Sequence, residues 1–400
     1  MQHKSVITIY LAFAISLAAC TLRFGGPNKL SDAPAPTAIP LQTTAEPTTP
    51  AGLTAPPGQI SLPPGFAVAV FASGLKNPRM MAFGPDGYLH VAERGEGRIV
   101  RLPDQDQDGV ADEIQLVTTE KLNRPNSLAF DKDGSMVVGE VAQVQRFSRL
   151  NRLGFYQAHQ VIIDNLPEGG HNTRTVLFSP DWSELYVSIG SSCNVCEEKD
   201  IRRATIMRYN PDGSGGEVFA HGLRNAVGLT FRPGTNELWA TNNGRDQLGD
   251  DLPPDTVQRV SFGLDFGWPV CHAGRIVDPE FGNDKSCDNI AIPEIELQAH
   301  SAPLGLVFYA QTQFPEEYQG NLFVAMHGSW NRSTPTGYKI VRIPFANDQP
   351  GAVMDFASGW LVGQAAWGRP VDLAVGPDGS LFVSDDAAGT IYRIFYIGTR

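Results

Sequence analysis

The sequence has little charge, few cysteines and no long apolar run. Charged residues make up 18% of its 400 residues, and the formal net charge of −12 leaves no basic excess. This balance argues against a nucleic-acid partner or an anionic-membrane surface. The apolar stretch from Val6 to Ile15 is too short to span a bilayer. No segment sustains a 3.6-residue apolar period, so helices should be minor.

The first residues instead predict export and lipid attachment. Lys4 precedes the apolar stretch, and Leu17-Ala18-Ala19 leads into Cys20. This arrangement is typical of a bacterial lipoprotein signal over residues 1–19, after which Cys20 is acylated. An ordinary signal peptide with an incidental cysteine is the alternative. We therefore expect an extracytoplasmic lipoprotein, on the periplasmic or cell-surface side, that meets the membrane only through its lipid.

Residues 20–58 predict a tether, and residues 59–400 predict the globular domain. The tether is rich in Pro, Thr and Ala, which cannot bury enough apolar surface to fold and should form a semi-extended spacer. The remainder is long enough for a sizeable core.

Four cysteines remain in the globular part, and four cysteines allow three pairings. In an oxidising compartment disulfides are the default, and we favour Cys193–Cys196 and Cys271–Cys287 because each pair is local in sequence. The Cys193–Cys196 motif could instead bind a metal or act in redox chemistry. It is not a c-type haem site, because Glu197 stands where a histidine is required.

One strand–turn–strand unit recurs six times. An apolar strand ends at a turn that often contains Pro-Asp-Gly, and a second apolar strand follows. The six units centre on Phe83, Phe130, Phe178, Phe231, Phe308 and Val375. They predict an all-β fold, a six-bladed β-propeller of four-stranded antiparallel blades, with residues 66–71 supplying the strand that closes the last blade. Five or seven blades, or two packed sheets, are the alternatives.

Arginines precede the first strand in five of the six units. They are Arg79, Arg124, Arg174, Arg224 and Arg369. Equivalent positions in a ring converge, so the sequence predicts a cationic funnel that attracts an anionic, carboxylate-bearing ligand. Arginines that join neighbouring blades are the alternative. His171 lies among them and, kept neutral by nearby cations, could accept a proton.

The ordered motifs of the chain resemble the quinoprotein glucose/sorbosone dehydrogenase family over about residues 60–398. The stretches that carry the resemblance are Asn77 to Asp86, His90 to Ile99, Gly169-Gly170-His171, Gly222 to Asn225, Phe266 to Pro269 and Arg369 to Gly379. The resemblance implies a six-bladed propeller that binds pyrroloquinoline quinone (PQQ) and calcium. It further implies oxidation of the C1 hydroxyl of aldoses, or of an aldehyde such as sorbosone, with electrons passed to an external acceptor.

The resemblance also assigns roles to single residues. His171 is expected to remove the substrate proton while hydride passes to the quinone, and Arg224 to stabilise the oxyanion that develops. Asn225, Asn243 and Arg369 are expected to hold the cofactor. The backbone carbonyls of Gly244 and Arg245 are expected to bind calcium.

This sequence departs from the glucose-oxidising members at several of these positions. Where those enzymes have a lysine on the quinone, it offers His327 or Arg332, and near the expected stacking aromatic it offers His300. These three residues are therefore further cofactor-binding candidates. The changes are more similar to the aldose and sorbosone dehydrogenase branch.

A separate acidic loop contains Asp104, Asp106 and Asp108 followed by Gly109. This is how an EF-hand calcium loop begins, but its twelfth position is Gln115 rather than glutamate. The loop predicts a structural calcium site or, alternatively, a solvated acidic turn.

Two other functions remain open from the sequence. One is a metal-dependent lactonase on a six-bladed propeller, which needs side-chain carboxylates and asparagines around a central metal. The other is a non-catalytic surface propeller that binds glycans or proteins, in which His171 and the arginines are structural.

Overall fold

The computed structural model describes residue 49, residues 52–283 and residues 286–398, and the regular secondary structure of these residues is almost entirely β-strand. The predicted signal segment, the predicted acylation site Cys20 and most of the predicted tether lie outside the described residues. Within the described part, no helix is long and apolar enough to cross a membrane.

The strands form six antiparallel four-stranded sheets, the blades of a propeller. The first strand, β1 (Phe66–Ser73), belongs to blade 6. Blade 1 comprises β2 (Pro78–Phe83), β3 (Leu89–Glu93), β4 (Arg98–Leu102) and β5 (Gln115–Leu116). Blade 2 comprises β6 (Ser127–Phe130), β7 (Met136–Gly139), β8 (Val144–Leu150) and β9 (Tyr156–Ile163). Blade 3 comprises β10 (Val176–Phe178), β11 (Leu185–Ile189), β12 (Thr205–Tyr209) and β13 (Glu217–His221).

Blades 4 to 6 carry additional small elements. Blade 4 comprises β14 (Ala226–Phe231), β15 (Leu238–Asn242), β16 (Asp255–Val260), the inserted hairpin β17 (Cys271–His272) and β18 (Ile276–Val277), and the outer β19 (Ile295–Leu297). Blade 5 comprises β20 (Pro303–Phe308), a 3₁₀ turn (Glu316–Tyr318), β21 (Leu322–Met326), β22 (Lys339–Ile343), the hairpin β23 (Phe345–Ala346) and β24 (Gln349–Pro350), and the outer β25 (Met354–Ala357). Blade 6 follows the hairpin β26 (Leu361–Val362) and β27 (Ala365–Ala366) and comprises β28 (Pro370–Val375), β29 (Leu381–Asp385), β30 (Thr390–Tyr396) and β1.

The predicted architecture is thus confirmed, including closure of the last blade by the strand at residues 66–71. Strand β1 pairs antiparallel with β30, from Phe66 opposite Tyr396 to Ser73 opposite Thr390. This pairing joins the beginning of the described propeller to its last blade and closes the ring.

One apolar cluster lies between each pair of adjacent blades. The largest joins blades 5 and 6, where the Phe66 ring packs edge-on against Phe314, Tyr318, Phe356 and Tyr396 at centroid distances of 4.8–5.1 Å. Such contacts between large buried rings stabilise the ring where its first and last strands meet.

The innermost strands β2, β6, β10, β14, β20 and β28 contact one another around a central channel. One cavity of about 440 Å³ lies at the end of the channel where these strands finish, near Phe83, Phe130 and Phe178. Asp372 of β28 is buried in its wall and accepts a hydrogen bond from the Met81 N–H at 2.7 Å. Burial raises the pKa of Asp372 to about 7.

Replacing Asp372 with Asn is expected to stabilise the protein in a pH-dependent way. Because the folded-state pKa lies above the unfolded value, folding takes up a proton and stability falls as the pH rises from about 4 to 7. The amide keeps the acceptor for Met81 and removes the charge. We expect an unchanged melting temperature at pH 4 and a gain of about 2–4 °C at pH 8, corresponding to about 1 kcal/mol. The exposed Asp355→Asn is the control, and a gain independent of pH would contradict this account.

Candidate functional site

A polar cavity of about 360 Å³ lies at the opposite end of the channel, where the inner strands begin. Eight of the residues predicted from the sequence line it together: His171, Arg224, Asn225, Asn243, Gly244, His300, His327 and Arg369. An adjoining space of about 310 Å³ shares His171 and Arg224 with it. These residues come from four different blades. They meet here because each precedes the innermost strand of its blade or follows the second strand, and both positions lie at the same end of the ring.

His171 is partly buried and hydrogen-bonded through one ring nitrogen. Its Nδ1 lies 2.9 Å from the Ser191 hydroxyl and 3.1 Å from the Ser191 carbonyl oxygen. Burial, followed by the positive charge of Arg224, lowers the pKa of His171 to about 3. The imidazole is therefore neutral at physiological pH.

The backbone beneath His171 requires a glycine. A Cβ at Gly190 would lie 2.6 Å from Cβ of His171 and 2.6 Å from Oδ1 of Asn225. These distances are shorter than van der Waals contact, so only glycine lets both side chains sit on this strand end.

Arg224 is buried, and its Nε and Nη2 are hydrogen-bonded within the wall. Its Nη2 donates to Oδ2 of Asp246 at 2.7 Å and to Oδ1 of Asn194 at 2.9 Å, and its Nε donates to the Asn194 carbonyl at 2.9 Å. Asp246 also accepts a hydrogen bond from Asn331 at 2.9 Å. The guanidinium is thus held rigidly in the wall of the cavity.

His327 and Arg369 form the opposite wall. Nε2 of His327 donates to Asp386 at 2.9 Å, and Asp386 also pairs with Arg79 at 2.8 Å. Burial lowers the pKa of His327, while Asp386 acts in the opposite direction. Arg369 donates to the carbonyls of His327 and Gly328 at 3.1 and 2.6 Å.

The structure brings only two of the five predicted arginines, Arg224 and Arg369, to this cavity. Arg174 is fully buried and donates to three backbone carbonyls, those of Pro167, His171 and Thr173. These carbonyls lie within seven residues of Arg174, so it neither faces the cavity nor, among the described residues, joins neighbouring blades through an ion pair. Arg79 is paired with Asp386, so its charge is largely compensated.

Of the two remaining cofactor-binding candidates, one lies at the cavity and one does not. His300 lines the cavity and donates from Nε2 to the Gly249 carbonyl at 2.8 Å. Arg332 turns away and contacts the Asp250 carbonyl and the Asp251 carboxylate, because these acids lie closer to its loop.

The two predicted groups of metal ligands differ. Gly244 lines the cavity and its N–H is held by Asp255 at 2.8 Å, whereas the Arg245 side chain pairs with Asp278 and Glu280 outside it. Within the described residues, no three His, Cys, Asp or Glu ligand atoms cluster in this cavity. Ligation here would therefore depend on backbone carbonyls.

The acidic loop brings its three carboxylates together. One ligand atom each from Asp104, Asp106 and Asp108 lies within 4.8 Å of the others. Asp104 also accepts from the Gly109 N–H at 3.1 Å. The loop precedes β5 in blade 1 and is mostly exposed. None of its three aspartates lines the cavity.

Both predicted disulfides are confirmed, Cys193–Cys196 and Cys271–Cys287. The first closes a loop beside the cavity, and Cys193 lines the adjoining space together with Arg224.

The sequence interpretation did not single out Asp255, Trp330 or Asn331, which also line the cavity. Burial raises the pKa of Asp255 to about 6, and the Trp330 side chain is 70% exposed at the mouth. In the described part of the chain, Oδ1 of Asn225 and Oδ1 of Asn331 are buried without a hydrogen-bond partner. A polar ligand would satisfy such groups.

The fold and the cavity together define a β-propeller with a cavity lined by polar side chains at one end of its channel. Within that class the chain belongs to the TrAA12-like family, whose model matches residues 60–260 and 275–396. The family resemblance predicted from the sequence is confirmed.

Two proteins and one solved structure are similar to this chain. An uncharacterised protein of Borreliella burgdorferi is 38% identical over 56% of this chain and 61% of its own. A PQQ-dependent pyranose dehydrogenase of Coprinopsis cinerea is 26% identical over 86% of this chain and 55% of its own. The chain thus spans about half to three fifths of these relatives. The holo form of the pyranose dehydrogenase PQQ domain from C. cinerea superposes with a TM-score of 0.74 at 23% identity, covering 86% of this chain and 99% of that one.

Proposed function

We propose that the protein is a PQQ-dependent dehydrogenase that oxidises a sugar at its C1 hydroxyl, or an aldehyde such as sorbosone, and passes the electrons to an external acceptor. The observation that carries the proposal is the combination of two guanidinium groups, a neutral histidine and two unpartnered buried amide oxygens in one cavity. The curated relative that acts on pyranose with the same quinone supports it.

The residues present fit a flat, tricarboxylate quinone. Arg224 and Arg369 offer cationic donors for carboxylates, and His327, which is hydrogen-bonded to Asp386, lines the same cavity. Asn225 and Asn243 offer further amide groups, and His300 lines the same wall. PQQ, when bound, supplies a two-electron acceptor that no side chain can provide. Carbonyls of Gly244 and Arg245 would hold a calcium ion beside it.

His171 is the residue suited to accept the substrate proton. Because Nδ1 is engaged by Ser191, Nε2 is the ring atom left to act as the base, and the low pKa keeps it free of a proton. Arg224 would stabilise negative charge developing on the cofactor, since it is buried and already oriented.

The two other functions are less well supported. A lactonase metal held by carboxylate side chains has no cluster of ligand atoms among the cavity residues that the structure describes. A purely structural His171 does not account for a neutral histidine placed beside unpartnered amides in an open cavity.

Titration of the purified protein with PQQ and calcium tests the proposal directly. We expect saturable binding by calorimetry and, after loading, dye reduction in the presence of aldoses. No binding would remove the proposal, whereas lactone hydrolysis without quinone would favour the lactonase.

Replacing Arg369 with Gln is expected to weaken PQQ binding by about tenfold, the effect of one lost charge-assisted hydrogen bond. The melting temperature should change little. The two carbonyls that lose a donor, those of His327 and Gly328, lie at the edge of the cavity rather than in the apolar core. The matched control is Arg275→Gln, which removes an exposed pair with Glu296. Equal affinities of the two variants would contradict a role for Arg369 in holding the cofactor.

We further propose that the protein acts outside the cytoplasm, attached through a lipid on Cys20, as the sequence predicts. Incorporation of radiolabelled palmitate into wild-type protein, and none into Cys20→Ser, would support this.

A further inference from the structure

The loop closed by Cys193–Cys196 follows β11 and contacts the surroundings of both His171 and Arg224. We propose that this loop is a positioning device, in which Asn194 orients Arg224 and the Cys193 carbonyl sets the tautomer of His171. The inference rests on the proposed function, which gives those two residues their roles. It adds Asn194, Ser191 and the disulfide to the set of residues on which turnover depends.

Asn194 makes five hydrogen bonds around Arg224. Its carbonyl accepts from Arg224 Nε at 2.9 Å and from Trp268 Nε1 at 3.2 Å. Its Oδ1 accepts from Arg224 Nη2 at 2.9 Å and from the Asp246 N–H at 2.7 Å, and its Nδ2 donates to the Asp246 carbonyl at 3.0 Å. Since Asp246 is also the ion-pair partner of Arg224, Asn194 fixes the cation and its counter-ion together.

The Cys193 carbonyl acts on His171 through Ser191. The Ser191 hydroxyl donates to that carbonyl at 2.6 Å, and a hydroxyl has one hydrogen to give. Ser191 Oγ must therefore accept from His171, which places the imidazole hydrogen on Nδ1. The lone pair then lies on Nε2, the only ring position from which a neutral imidazole can take a proton.

The disulfide holds both contacts in one short segment. Cys193 and Cys196 are three residues apart, so the bond closes a tight loop around Asn194. Outside the loop, Glu198 accepts from the Ser192 N–H and hydroxyl at 2.6 and 2.8 Å. Loss of the disulfide should thus loosen the Asn194 and Cys193 contacts without releasing the whole segment.

Four variants of the full chain, loaded with PQQ and calcium, test the proposal. Asn194→Ala is expected to lower kcat about 10- to 100-fold, with KM nearly unchanged, because it removes one charge-assisted hydrogen bond to Arg224 and two neutral ones to the Asp246 backbone. Asn194→Asp keeps the Oδ1 acceptor for Arg224 and loses only the Nδ2 donation to the Asp246 carbonyl, so it should lose less. The double variant Cys193→Ser/Cys196→Ser should fall between Asn194→Ala and Asn194→Asp. Val195→Ala, in the same loop but outside these contacts, should behave as wild type.

Nitrogen NMR of the quinone-free protein supplies a readout that does not depend on turnover. The Arg224 Nη2 hydrogens, one of which donates to the Asn194 side chain, should exchange slowly in wild type and faster in Asn194→Ala. The His171 ring should show the Nδ1-protonated form in wild type. Ser191→Ala removes the hydroxyl acceptor at 2.9 Å and leaves only the backbone carbonyl of residue 191 at 3.1 Å, so a minor fraction of the other tautomer should appear.

The outcomes separate this inference from the function on which it rests. An inactive wild type with the expected spectra would overturn the proposed function while leaving the positioning intact. An active wild type, with Asn194→Ala within twofold of it and an unchanged Arg224 signal, would overturn the positioning role. If Asn194→Ala does not fold, Asn194→Asp and the Ser191→Ala tautomer decide the same question.

Discussion

Replacing His171 with Asn is expected to lower kcat by about 10²–10⁴-fold, the usual contribution of a positioned base. Asparagine can still donate to Ser191 from the place of Nδ1 but has no basic nitrogen where Nε2 stood. PQQ affinity should change little, because the cationic groups are untouched. Steady-state dye reduction together with calorimetry of the quinone measures both quantities.

A matched substitution and a titration sharpen this prediction. His159→Asn alters a histidine on the outer strand β9 and should leave kcat unchanged. The His171 ring resonances of the quinone-free protein should not titrate between pH 5 and 8, because its pKa lies at about 3. Protonation begins only as the pH falls toward that value. Full activity in His171→Asn, or a titration near pH 6.5, would contradict the role assigned to this residue.

Replacing Arg224 with Lys is the second large effect, an expected loss of about 10²–10³-fold in kcat. An ammonium keeps the charge but cannot reproduce the planar fork that contacts Asn194 and Asp246 at once. The charge would remain while its orientation is lost, so kcat should fall more than the affinity for the quinone.

Arg232→Lys provides the control for that measurement. Arg232 forms ion pairs with Glu237 and Asp348 at the far rim of blade 4, so the same chemical change there should leave turnover intact. If Arg224→Lys retained wild-type kcat, Arg224 would be a structural residue rather than one that stabilises charge during turnover.

The sequence predicted the blades better than the directions of the side chains. Each repeated strand–turn–strand unit fixes where an inner strand begins, which is why His171, Arg224 and Arg369 were correctly grouped at one end of the ring. The repeated unit does not fix the rotamer of a side chain. Arg174 donates to three nearby backbone carbonyls rather than pointing into the cavity. Whether an arginine side chain points into the cavity or toward its own loop depends on nearby hydrogen-bond partners, which the repeat does not encode.

Residues brought in from loops of other blades were beyond the sequence pattern. Asn194 and Asn331 meet Asp246 from positions 52 and 85 residues away. No periodicity predicts such pairs, because the intervening blades set their separation in space. The unpartnered Oδ1 of Asn331 became recognisable only once the packing around it was known.

The pairing of β1 with β30 has a consequence for the order in which the chain folds. Blades 1 to 5 are each built from neighbouring segments and can form during synthesis, but blade 6 has to wait for residues 390–396. At 5–20 residues per second, β1 waits roughly 20–60 s for its partner. Throughout that interval its apolar residues Phe66, Val68 and Val70 lack their final neighbours. This strand is therefore the segment of the nascent propeller most exposed to misassociation with other chains.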